Sequence, residues 1–134
     1  MSLWTRGITS LGWVGVDLDC CLATYVSRQW PDIGEPVPAI LEIVKELLAQ
    51  GREVRIFTAR VGHLFTQNPT REQYDDAVEQ ETLVKAWCLK HIGRTLAVTA
   101  VKDYEMSVLL DDRAVTIEKN TGRILTAGGP GINR

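Results

Sequence analysis

The apolar positions fall into short blocks and two stretches of helical spacing. Trp13 to Val16 is a short apolar run suited to a buried strand, and it stops at Asp17. Val37, Ile40, Leu41, Val44, Leu47 and Leu48 recur at spacings of three and four, which predicts a helix over 37–50. Pro38 suits its first turn and Gly51 the position just past its end. Residues 52–58 predict a second strand, carried by Val54, Ile56 and Phe57. After a loop over 61–69, Thr70-Arg71-Glu72-Gln73 has the form of a capping box and opens a helix reaching about Ile92. Its expected inner face is Tyr74, Ala77, Val78, Val84, Trp87, Cys88 and Ile92, and Gly93 ends it. Short strands follow at 96–98 and 107–110. Residues 115–118 and 123–125 flank Asn120-Thr121-Gly122 and predict a C-terminal hairpin. Strand, helix, strand in this order predicts right-handed βαβ units and a mostly parallel sheet. The lead-in over residues 1–12 and the run Gly128-Gly129-Pro130-Gly131 carry no such pattern.

Composition narrows the class. A chain of 134 residues, 45% hydrophobic and 24% charged, is expected to form one domain over 1–134 with a real core. A net charge of -2 gives no basic footprint for nucleic acid. No apolar run approaches membrane-spanning length. Three cysteines, Cys20, Cys21 and Cys88, with no signal-peptide pattern, favour reduced thiols and a cytoplasmic setting.

The chemistry gathers at strand ends. Asp17 and Asp19 both sit at the carboxyl end of the first strand, where open α/β sheets bind ligands. Two carboxylates so close repel each other, and a divalent cation such as magnesium relieves the repulsion. Thr58, Lys102 and the pair Asp111 and Asp112 stand just past or near the ends of later strands. Singly, each has a plain structural reading. The aspartates can cap turns, Thr58 can be a turn hydroxyl, Lys102 a solvated surface lysine, and Asp111-Asp112-Arg113 a helix start with an ion pair. Together, in this order, they favour a site.

The set Asp17-Leu18-Asp19, Thr58, Lys102 and Asp111-Asp112 resembles, in order and type, the motifs of the haloacid dehalogenase-like (HAD) phosphohydrolase superfamily. The likeness runs from about Trp13 to Val115. Cys21 stands where that family usually has threonine, and Cys20 where it often has glycine. The resemblance implies a three-layer Rossmann-like fold with strand order 5-4-1-2-3. With only the loop Ala23 to Pro36 in the cap position, it also implies a capless or minimally capped site. It implies that Asp17 attacks phosphorus to form an aspartyl-phosphate and that Asp19 serves as general acid and base. Thr58 and Lys102 would bind phosphate. Mg2+ would be held by Asp17, the backbone carbonyl of Asp19, and Asp111, with support from Asp112. Asp19 favours phosphoryl over carbon–halogen chemistry.

The expected partner is a small phosphorylated substrate, with a nucleotide among the candidates. A polynucleotide end fits an open site but not the acidic balance. A catalytically weak phosphate- or metal-binding protein on the same scaffold is the alternative from another class. Arg60 follows Thr58 and is placed either to grip a second anionic group or to pair with Asp112 or another acid. Tyr25, Arg28 and Trp30 lie in the loop over the site; an aromatic there can stack on a nucleobase or plug local packing. His63 is placed to contact a leaving group or to lie in solvent, and His91 reads as a capping or surface residue.

Overall fold

The computed structural model describes residues 12–25, 28 and 30–126. The lead-in before Gly12 and the run Gly128-Gly129-Pro130-Gly131 lie outside them. Strand β1 (Trp13–Asp17) is one of two inner strands of the sheet, and the site is built at its end. Trp13, Val14 and Val16 have no exposed surface, as expected of a parallel strand covered on both faces. Helix α1 (Pro38–Ala49) and strand β2 (Glu53–Phe57) complete the first βαβ unit. Helix α2 (Arg71–Ile92) and strand β3 (Val98–Thr99) complete the second. Strand β4 (Met106–Leu110) returns to the far side of β1.

The sheet is all parallel, in the order β3-β2-β1-β4. Asp17 is in register with Phe57, and Val16 with Leu110. Strand order reverses between β1 and β4, so a crevice opens at their carboxyl ends, where such sheets bind ligands. This matches the 4-1-2-3 part of the expected strand order. Among the described residues no fifth strand follows; the chain instead makes a hairpin with one antiparallel bridge, Ile117 to Ile124.

Right-handed crossovers put α1 and α2 on one face. There Val44 and Leu47 from α1 and Val84, Trp87 and Cys88 from α2 form one core with Val14, Val16, Val54 and Ile56. On the other face the Trp13 ring lies against Gly15, where an added Cβ would come within 3.1 Å of it. The Arg55 guanidinium stacks 4.5 Å from the Trp13 ring centroid. Asp103 accepts the Trp13 indole N–H at 2.8 Å and lies 3.5 Å from Arg55. The indole N–H holds the Asp103 carboxyl below its ordinary range, with help from backbone N–H groups and Arg55. The segment 100–105 thus straps this face, a thin third layer of the expected Rossmann-like α/β arrangement.

Several boundaries differ from expectation. The third strand is Val98–Thr99 rather than 96–98, because Leu96 turns into the core while Ala97 begins the pairing through its carbonyl to Ile56 N. The loop at 61–69 begins inside a 3-10 helix, Ala59–Leu64, which buries Val61. The Thr70–Gln73 capping box is present in both directions. Tyr74 and Val78 are exposed, and Gln80 takes the inner position between Ala77 and Val84. Among the described residues no helix is long and apolar enough to cross a membrane.

Candidate active site

The turn after β1 is fixed from inside. Leu18 and Leu22 are fully buried, so the intervening residues must fold back over them. Backbone bonds close the loop: Leu22 N donates to Asp17 O at 3.1 Å, Ala23 N to Leu18 O at 2.8 Å, and Cys20 N to Ala23 O at 2.9 Å. Cys21 adds a weak contact from Sγ to Leu110 O at 3.6 Å, tying the turn to β4. Burial, then Asp17, Asp112, Asp111 and Cys20, push the Cys21 thiol up to about 12, so it stays protonated and a poor metal ligand or nucleophile.

Cys20 is exposed and adopts φ 68°, the left-handed region that suits glycine. Relief of this strain outweighs the chain entropy that glycine adds. Cys20→Gly is therefore expected to raise stability by about 0.5–1 kcal/mol. Thermal melts of reduced protein check this; a lowered midpoint would show that the thiol contributes packing.

Asp17, Asp111 and Asp112 come from the ends of the adjacent strands β1 and β4. Each offers a carboxylate oxygen, and these lie within 4.8 Å of one another. Burial is the largest cause raising Asp17 from 3.8 to about 8, followed by its hydrogen bond with Asp112 and the charges of Asp111, Asp112 and Asp19. An all-oxygen set of this kind suits a hard divalent cation. Asp111 also accepts the backbone N–H of Arg113 at 3.1 Å, which turns the chain after β4.

Thr58 is buried and caps the 3-10 helix, its Oγ accepting from Arg60 N at 3.2 Å. Its O–H remains available to a ligand in the cleft. Arg60 is 8% exposed, and its guanidinium is fully committed. It donates to both Asp19 oxygens at 2.8 and 2.9 Å, to Gln80 Oε1 at 2.9 Å, and to the carbonyls of Pro31 at 2.6 Å and Asp32 at 3.3 Å. The structural alternative for Arg60 is the one realised, with Asp19 rather than Asp112 as its acid. Asp19 is thereby turned away from the carboxylate trio, and its side chain is not among the three.

The cleft above these residues holds about 400 Å3. Asp17, Asp19, Thr58, Arg60 and Asp111 line it, as sequence reasoning expects of a common site. Lys102 does not; it is exposed on the strap beside Asp103. His63 is exposed on the 3-10 helix, and His91 packs against Trp87 in a tilted ring contact with centroids 4.7 Å apart. The lining adds Arg113, Phe57, Tyr25 and Trp30. Arg113 was legible in the Asp111-Asp112-Arg113 string as a surface charge only. Gln80 was legible from its i+3 spacing to Ala77, had polar residues been admitted to the inner face.

Fold and site together define a Rossmann-like α/β protein with an acidic cleft at its topological switch point. No protein-family model matches the chain, and no curated protein matches it. Among solved structures it is similar to a conserved protein from Bacteroides thetaiotaomicron, at 19% identity over 78% of each chain and a TM-score of 0.45.

Proposed function

We propose that the protein is a magnesium-dependent phosphohydrolase of the HAD type, acting on phosphomonoesters. The observation that carries this is the Asp17, Asp111 and Asp112 trio, of which Asp17 and Asp111 line the same cleft as Thr58. Bound there, magnesium would supply positive charge to offset both the carboxylates and the phosphate. The Asp17 oxygen forms a bond to phosphorus as the ester P–O bond breaks, and the leaving oxygen takes a proton from Asp19. Water then attacks phosphorus, returns a proton to Asp19 and frees Asp17. Thr58 donates its hydroxyl to a phosphate oxygen.

The committed Arg60–Asp19 pair also favours a second reading, a protein that binds a phosphate ligand with little turnover. Phosphate release from a panel of phosphomonoesters, with and without magnesium, separates them. Turnover that needs magnesium and falls at least about a thousandfold in Asp17→Asn supports the enzyme. Within the same panel, Arg113→Ala is expected to cost about tenfold or more in kcat/KM and Lys102→Ala little, because Arg113 lines the cleft. The reverse order would return the phosphate charge to Lys102. No release from folded, reduced protein that still binds phosphate supports the second reading.

A further inference from the structure

We infer that the cleft selects phosphomonoesters whose leaving group carries a planar aromatic ring, seated on the open face of Trp30; the phosphate end of this inference rests on the phosphohydrolase reading. A volume of about 400 Å3 falls within the range of small-molecule pockets and exceeds what a phosphate and a cation require. Chemistry divides the lining in two. Carboxylates, Thr58 and Phe57 occupy the strand ends, while Tyr25 and Trp30 supply ring surface from the loop over them.

Trp30 is 50% exposed and Tyr25 39% exposed. A tryptophan serving as a packing plug would be covered; this one leaves apolar surface in water at the cleft. It is also held in place. The Arg60 guanidinium lies 4.5 Å from its ring centroid, and Arg60 bonds the carbonyls of Pro31 and Asp32, the next two residues. Farther along the loop, Gly34 presses on Thr24, where an added Cβ would come within 2.1 Å of the Thr24 carbonyl oxygen. The Trp87 indole N–H bonds Gly34 O at 2.9 Å. An anchored ring with a cation on one face presents the other face ready to stack, with little ordering left to do on binding. Sugar or polyol leaving groups call for polar side chains, whereas the loop contributes the rings of Tyr25 and Trp30 to the lining.

The test compares adenosine 5'-monophosphate with ribose 5-phosphate, which differ at C1 of the sugar, adenine in one and a hydroxyl in the other. Binding to the full chain with magnesium is followed by calorimetry, and phosphate release is measured on the same pair. Wild type is expected to bind the nucleotide roughly tenfold or more tightly. Trp30→Leu should remove most of that preference and Trp30→Phe should keep it, with melting curves confirming both variants folded. Equal affinity in wild type overturns the inference, as does a preference that survives Trp30→Leu. Equal release from both esters, with equal affinity, overturns the ring preference and leaves the phosphohydrolase standing. A nucleotide preference with no release from either ester keeps the ring site and overturns the phosphohydrolase. Failure to bind either ester overturns both.

Discussion

Arg60→Met is expected to destabilise the protein by about 3–5 kcal/mol, the cost of removing one partner from a buried ion pair. The Arg60 side chain is 3% exposed and that of Asp19 23% exposed. Methionine keeps much of the volume but leaves Asp19, Gln80 Oε1 and two loop carbonyls without their donor. Each is then a polar group partly cut off from water and missing a bond. Lysine should not rescue it, since an ammonium cannot reproduce the planar fork that meets both Asp19 oxygens. Adding Asp19→Asn to Arg60→Met should recover part of the loss by removing the orphaned charge. Urea titrations of the two single variants and the double variant measure this. A loss under about 1 kcal/mol in Arg60→Met would show that water satisfies these groups and that the arginine does not hold the loop.

That arginine marks where sequence reasoning stops. The strands and helices were legible because their signals are local: the Val37–Leu48 spacing, the capping box at Thr70, and Gly93, which takes the left-handed φ of 95° after α2. The convergence of Asp17, Thr58 and Asp111 was legible too, since parallel strands deliver their carboxyl ends to one edge. Partner choice was not. Whether Arg60 meets substrate, Asp112 or Asp19 depends on the path of the loop to Pro36, and no periodicity encodes that path. Lys102 shows the same limit. Its place in the order suggests the cleft, but Asp103 beside it bonds Trp13 and Arg55 on the strapped face and holds this short connection there. Tyr74 precedes the first buried position of α2, Ala77, and Val78 sits to the side of the inner face that Ala77, Gln80 and Val84 define.

In metal-free protein at pH 8, Asp17→Asn is expected to be more stable than wild type, by about 2 kcal/mol once solvent screening of a partly exposed group is allowed for. Burial and the neighbouring carboxylates raise Asp17 from 3.8 to about 8 in the folded state. Below pH 3.8 the folded and unfolded chains both hold this proton. Between 3.8 and about 8 the folded state keeps it while the unfolded chain releases it. The contribution of Asp17 to stability therefore falls as pH rises through that window and levels off above it. Asparagine carries no charge and removes this dependence. A divalent cation acts in the opposite direction, because it needs the ionised carboxylate and so binds more tightly as pH rises. At a concentration of about 100 Kd it adds roughly 2.7 kcal/mol. Wild type should thus regain its stability at pH 8 on addition of magnesium, and Asp17→Asn should respond weakly or not at all. Thermal melts from pH 5 to 9, with EDTA or with magnesium, give the four curves required. If Asp17→Asn melts below wild type at pH 8 in EDTA, the ionised Asp17 side chain is stabilised by some other partner, and the trio is not the strained cation site proposed for it.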